Sequence, residues 1–256
     1  GIVMRRAKEK GVRISPVDSE HSAIMQTLRA GKKSEIKRLI LTASGGPFFG
    51  MTKEQISEKR LCDALAHPTW SMGKGITVDS ATLMNKGFEV IEASHLFGIP
   101  GEKISVVVHR ESIIHSMTEY IDNSVIAQLS VPDMRLCIAH ALTCPARKKG
   151  VTPQLDLTEI GKLTFYNPDC EVFPLLPLAF DALAKGGALP AALHAANEAT
   201  VNAFLDGVII RFTDIQETVI RVTEDLSYFS EEQGLDAVFA ADAEARHRVS
   251  ELINKG

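Results

Sequence analysis

The chain has 256 residues, 45% hydrophobic and 23% charged, with a formal net charge of −4, a composition that allows a large core and two packed units. The acidic balance speaks against broad nucleic-acid binding, which needs a concentrated basic face, and no apolar run approaches the ~20 residues that cross a bilayer. Cys62, Cys137, Cys144 and Cys170 contain no CxxC pair, which suits a reducing compartment and reads each as a small core residue.

The first residues, GIVMRRAKEKG, read as the second half of a helix and lack the basic-then-apolar order of a secretory signal. Val12–Val17 (VRISPV) is expected as a short strand, with Pro16 confining it to an edge or end. It runs into Asp18-Ser19-Glu20-His21, ahead of a helix from Ser22 to about Ala30. In extended backbone, residues i and i+2 share a side, so Asp18 and Glu20 can converge on a cation. An acidic start that complements the helix dipole fits the same residues. His21 reads as packed or capping rather than as a ligand.

Arg38–Ala43 (RLILTA) is a continuous apolar run of the kind buried in a parallel sheet. It ends in Ser44-Gly45-Gly46-Pro47-Phe48, where glycines would let backbone N–H groups approach an anion, or simply make a turn. Met51–Leu65 reads as helical. Ala66–Gly75 reads as a loop carrying the single tryptophan, Trp70, either a lid over a small-molecule site or a buried anchor.

Val78–Glu92 (VDSATLMNKGFEVIE) reads as a loop entering an amphipathic helix, capped by Asp79 or Ser80. Asn85, Glu89 and Glu92 then share one face, with Lys86 beside it. The same spacing describes a solvated face with one Lys–Glu pair.

Lys103–Val108, Ser112–Tyr120 and Ser124–Ser130 are expected as strands, with a hairpin turn at Asp122-Asn123. His109 and His115 lie on them as core or supporting residues. Asp133 is placed to cap a helix from Met134 to about Leu142. Thr143–Pro168 loses apolar periodicity and reads as a linker. Helices are expected beyond it at Phe173–Lys185, Ala188–Leu205, Thr213–Asp225 and Leu235–Lys255, enough for a four-helix bundle. Asn197 and Glu198 in the second of these are expected to bond neighbouring turns. The fold expected is an α/β (α+β) catalytic domain with a mixed sheet over 1–142, a linker over 143–168, and an all-α bundle over 169–256.

The order VDSEH, LTASGGPF, HPTWSMG, VDSATLMNKGFE, IIHSM and VPDMR, continued by LTFYNPD and AANEATVNAFL, resembles the 1-deoxy-D-xylulose 5-phosphate reductoisomerase family. These are metal- and NADPH-dependent enzymes that make 2-C-methyl-D-erythritol 4-phosphate for isoprenoid synthesis. The resemblance runs from about Gly11 to the C-terminus. It implies that Asp18, Glu20 and Glu89 hold Mn²⁺, Mg²⁺ or Co²⁺. It further implies that Ser19 and Glu20 touch substrate, and that Ser44, His67, Ser80, Asn85 and Lys86 grip its phosphate and hydroxyls. Trp70 and Met72 would close over the sugar, and Gly73 and Met134 would meet the nicotinamide end of NADPH. A homodimer formed through the strands after His109, and a bacterial cytoplasmic location ahead of a plastid one, belong to the same expectation.

The sequence departs from the family pattern in three places. It shows no Gly-rich turn of Rossmann type and no Asn-Lys-Glu segment ahead of VDSEH, so the ~100–150 residues of a dinucleotide domain are not seen. Phe49 stands where a charged residue is common, and Gly75 where a basic residue is usual, loosening the lid or its pull on phosphate. Two readings remain: the catalytic and C-terminal portion of a working enzyme, or a module that binds metal and sugar phosphate without turnover. A zinc hydrolase is disfavoured by the lack of HExxH or Cys/His ligand spacing.

Overall fold

Strand β1 (Ile36–Ala43) is buried at five consecutive positions from Leu39 to Ala43, as a run without polar alternation requires. The computed structural model that shows this describes residues 1–66, 72–231 and 233–255. Packing divides the chain into two units, each assembled from separate stretches: Gly1, Val3–Ser44 and Glu92–Pro168 in one, Ile2, Gly45–Ile91 and Asp169–Gly256 in the other.

In the first unit, β2 (Ile104–Val108), β3 (Ile114–Tyr120) and β4 (Val125–Leu129) join β1 in the order β2-β1-β3-β4. β1 pairs parallel with β2, Leu41 opposite Val106, and antiparallel with β3, Leu41 opposite Ser116. The sheet is therefore mixed, as expected. The β3–β4 hairpin turns at Asn123 in the left-handed region, φ 66°, a conformation asparagine tolerates. Helix α1 (Ile2–Glu9) precedes Val12–Val17, which is not a strand: among the described residues it pairs with no sheet. A proline in so short a segment removes one of its few donors, and Pro16 is buried by packing instead.

Helix α2 (Ser19–Thr27) packs on β1, β3 and β4. Two bonds fix it there: Thr27 Oγ1 lies 2.8 Å from Thr118 Oγ1, and Tyr120 donates to the Thr27 carbonyl at 2.9 Å. Helix α7 (Met134–Thr143) starts at Asp133, which accepts from the Arg135 N–H as expected of a cap, and packs beside α2.

The stretch read as a linker belongs to this unit. Tyr166 exchanges backbone hydrogen bonds of 2.8 and 2.9 Å with Val108. His109, fully buried, accepts from the Ile113 N–H at Nε2, which leaves its Nδ1–H for the Thr164 carbonyl at 2.9 Å. Phe165 stacks on the His109 ring, centroids 4.9 Å apart. Fading periodicity signalled irregular backbone there, not mobility. A single short helix, α8 (Leu157–Ile160), interrupts it.

The second unit holds α3 (Lys53–Ser57), α4 (Leu61–Ala64), α5 (Lys74–Ala81) and the first eight residues of α6 (Met84–Phe97). With them pack α9 (Leu175–Lys185), α10 (Leu189–Leu205), α11 (Phe212–Asp225) and α12 (Leu235–Lys255). The four C-terminal helices match expectation almost to the residue, because each carries a long apolar stripe. Central α10 touches α5, α9, α11 and α12, and its Ala192, Leu193, Ala195 and Ala196 are fully buried. Met51–Leu65 is two short helices with a break rather than one. Thr52 and Gln55 form a capping box at the first, and the Arg60 N–H is taken by Asp63 at the second. The expected boundaries at 142 and 168 run in order along the chain, whereas the packed units interleave, since α3 and α5 bury their apolar faces on α11 and α10.

Gly87 explains how α6 lies so close to α9. A Cβ there would sit 2.6 Å from the Ala179 methyl and 3.4 Å from Met84 Sδ. Gly87→Ala gains about 1 kcal/mol of helix propensity but overpacks a fully buried contact, so a net destabilisation of about 1–2 kcal/mol is expected. Urea unfolding measures it; a variant as stable as the parent would show that the α6–α9 contact gives way freely.

Candidate functional site

The segment read as one loop entering one helix is two helices. Leu83, buried with φ 61°, separates α5 from α6. Asp79 and Ser80 therefore lie in the last turn of α5 and do not cap α6. The Met84 N–H finds the Thr82 hydroxyl at 3.3 Å, which leaves Asn85 and Lys86 in the first turn of α6. A left-handed leucine costs about 1 kcal/mol or more and leaves no mark in a hydrophobic pattern, which is why spacing alone missed the break.

Asn85 and Glu89, expected on one face, meet there together with Lys86, expected beside it. Asn85 Nδ2 donates to Glu89 Oε1 at 2.6 Å, and Lys86 Nζ donates to Glu89 Oε2. Lys86 and Glu89 are each only 4% exposed. This is a desolvated ion pair and not a solvated face. The Gly-rich turn packs directly on the end of α5: a Cβ at Gly46, φ 63°, would lie 2.7 Å from the Ser80 carbonyl oxygen. Ser44, just ahead of the turn, belongs to the first unit, where its carbonyl accepts from Arg110 at 2.6 Å.

Asp18 caps α2, accepting from the Ser19 N–H at 2.9 Å, and its other oxygen lies 3.0 Å from His21 Nδ1. The helix starts three residues earlier than expected, so Glu20 stands in its first turn, bonded by the Ser19 hydroxyl. The backbone there is helical and not extended, yet carboxylate oxygens of Asp18 and Glu20 still lie within 4.8 Å of each other, the convergence expected. His21 is 1% exposed, and its Nε2 is 3.8 Å from Glu92 Oε2. Ligand atoms of Asp18, His21 and Glu92 all lie within 4.8 Å of one another. Glu92 comes three residues after Glu89 on α6, so the two carboxylates share one helix face.

Two polar residues do more than expected. Asn197 Nδ2 donates to Asp79 Oδ1 at 2.7 Å, and Glu198 accepts from Arg246 of α12 at 2.5 Å. Both reach other helices instead of neighbouring turns. Removal from water pushes the Asp79 carboxyl up to about 6, against the opposing pull of Asn197 and His194.

Two family descriptions match the chain: the 1-deoxy-D-xylulose 5-phosphate reductoisomerase C-terminal domain over residues 14–97, and the DXP reductoisomerase C-terminal domain over residues 129–248. Reductoisomerases of Acetivibrio thermocellus and Endomicrobium trichonymphae are 52% and 53% identical, over 98% and 99% of this chain. The chain belongs to the 1-deoxy-D-xylulose 5-phosphate reductoisomerase family.

It spans 66% and 65% of the length of those two curated relatives. A solved reductoisomerase from Zymomonas mobilis in complex with NADPH superposes with TM-score 0.89 at 41% identity, over 99% of this chain and 64% of that one. A second, in complex with NADPH, fosmidomycin and magnesium, gives 0.90 at 40% identity, over 98% and 66%.

Of the remaining residues that the reductoisomerase resemblance named, His67 and Trp70 lie outside the described residues. Met72 is half-buried, Gly73 precedes the first turn of α5, and Met134 opens α7 half-buried. Of the cysteines, only Cys137 is a buried core residue; Cys62 and Cys170 are exposed and Cys144 half-buried.

Lys86→Met strands a buried carboxylate and is expected to cost about 3 kcal/mol; a loss below ~1 kcal/mol in urea unfolding would mean that Glu89 reaches water. The raised Asp79 carboxyl gives a protonated form that stabilises the fold at low pH and is lost as pH rises through about 6. Asp79→Asn should therefore raise the melting temperature more at pH 7.5 than at pH 5.0, and an equal shift at both would refute the burial of that charge.

Proposed function

We propose that this chain is the cation- and sugar-phosphate-binding portion of an enzyme that converts 1-deoxy-D-xylulose 5-phosphate to 2-C-methyl-D-erythritol 4-phosphate with NADPH, in isoprenoid synthesis. The observation that carries the reading is the buried Asn85–Lys86–Glu89 array at the start of α6. Nothing in the stability of a helix calls for a charged pair out of water, since apolar residues of like volume serve as well or better. The solved relatives with NADPH, fosmidomycin and magnesium support it.

In this reading Asp18, Glu20 and Glu89 hold the cation. Their donors are all carboxylate oxygens, a hard set suited to Mg²⁺, Mn²⁺ or Co²⁺ and not to a soft thiolate metal. The capped start of α2 fits a ligand role, because Ser19 and His21 already hold Asp18 and Glu20 in fixed orientations. When bound, the cation polarises adjacent carbonyl and hydroxyl oxygens of the substrate, and NADPH supplies hydride.

The chain's own residues bind and orient. Lys86 supplies the ammonium, Asn85 the amide, and Ser44 and Ser80 the hydroxyls of a phosphate cradle. His67 joins them, and Ser19 and Glu20 contact the sugar. Trp70 and Met72 cover the substrate and exclude water, while Gly73 and Met134 meet the nicotinamide end of the cofactor. Assembly is as a homodimer, in the bacterial cytoplasm. A second reading is binding of metal and sugar phosphate without turnover.

Titration calorimetry tests the site: the chain binds Mn²⁺ or Mg²⁺, and Glu89→Gln weakens that binding by about tenfold or more. Unchanged affinity would remove Glu89 from the ligand set. Consumption of NADPH by the chain with 1-deoxy-D-xylulose 5-phosphate separates turnover from binding alone.

A further inference from the structure

Within the second unit, the last turn of α5 is held from two sides. The Gly45–Phe48 turn presses on the Ser80 backbone, and α10 reaches Asp79 through Asn197. Asn197 is 2% exposed, and its Oδ1 is buried with no hydrogen-bond partner among the described residues. A buried amide oxygen without a donor is destabilising, and an ionised Asp79 cannot supply one, because a carboxylate only accepts. A neutral Asp79 can. Its second oxygen then carries an O–H to set against Asn197 Oδ1, while its first keeps the bond from Nδ2, as a carboxylic acid and an amide pair in two directions at once.

We propose that Asp79 is a positioning residue for the anion site at Ser80, that its neutral acid form paired with Asn197 is the form that accepts the anion, and that binding takes up a proton at Asp79. The inference rests on the reading of Ser80 as a phosphate contact. The chemistry is that of one charge beside another: an anion held by the residue next to Asp79 repels a carboxylate and tolerates an acid. Burial already brings this carboxyl to about 6, so a modest further push protonates it near neutral pH. The proton comes from solvent buffer and returns there on release.

Charged groups that act on Asp79 come from α10. His194 favours the ionised form and Glu198 opposes it, the latter tied to Arg246 of α12, which also holds Asp242. Helix α4, also packed on α5, offers Cys62 and Asp63, neither among the groups that shift Asp79, and the Gly45–Phe48 turn carries no titratable side chain. His194→Gln is therefore the control for assigning a proton to Asp79.

Sulfate is the probe, a tetrahedral dianion that does not itself titrate near neutrality. Calorimetry of sulfate binding to the 256-residue chain at pH 7.0, in two buffers of different ionisation enthalpy, counts protons. The expected result is uptake of about half a proton per sulfate, abolished in Asp79→Asn and retained in His194→Gln. Binding without uptake, or the same uptake in Asp79→Asn, overturns the proposal while leaving the phosphate site standing. Absence of sulfate binding, or binding indifferent to Ser80→Ala, removes the phosphate reading and the proposal with it.

Discussion

An ammonium and a carboxylate that have both left water must be matched to each other. Lys86 and Glu89, three residues apart on one helix, meet this demand with Asn85 taking the remaining carboxylate oxygen. The helix can sink against α9 only because Gly87, lying between them in sequence, has no side chain. Its start can be brought round beside the end of α5 only because Leu83 takes a left-handed turn. Out of water, the pair is strong because little solvent screens it.

The bundle was legible from sequence because four long stripes of apolar residues admit only one period. The strands were legible too, with Asp122-Asn123 marking the hairpin. What escaped were features made by single backbone torsions or by distant contacts. Leu83 is an ordinary helix former, and nothing in its neighbours announces φ 61°. Val12–Val17 has strand composition but no partner strand, and composition does not supply partners. The polar face of α6 was visible as spacing, yet spacing cannot separate a solvated face from a buried pair; only packing decides. Asn197 looked like a local residue because its true partner, Asp79, lies 118 positions away.

Three features of the second unit depart from what stability alone would select. Asp79 keeps a carboxyl where burial disfavours its charge, Asn197 keeps an amide oxygen without a donor, and Leu83 keeps a costly conformation. All three flank or contact the stretch that carries Ser80, Asn85 and Lys86. The same kinds of departure occur in the first unit, where Ser116 Oγ and His140 Nε2 are buried without a hydrogen-bond partner among the described residues and Ser112 has φ 52°. There His109 and Tyr166 also clasp an irregular segment onto the sheet.

The interleaving of the two units has a consequence for the ribosome. Residues Gly45–Ile91 cannot complete their core until Asp169 and the helices beyond it exist, and the 77 residues from Glu92 to Pro168 are made in between. At ~5–20 residues per second, that is a wait of roughly 4–15 s. Throughout it the groove that Gly87 leaves for Ala179 stands open, and a charged pair destined for a dry interior stays wet. Late-made helices close it, so this half of the fold is finished last even though much of its binding chemistry is written first.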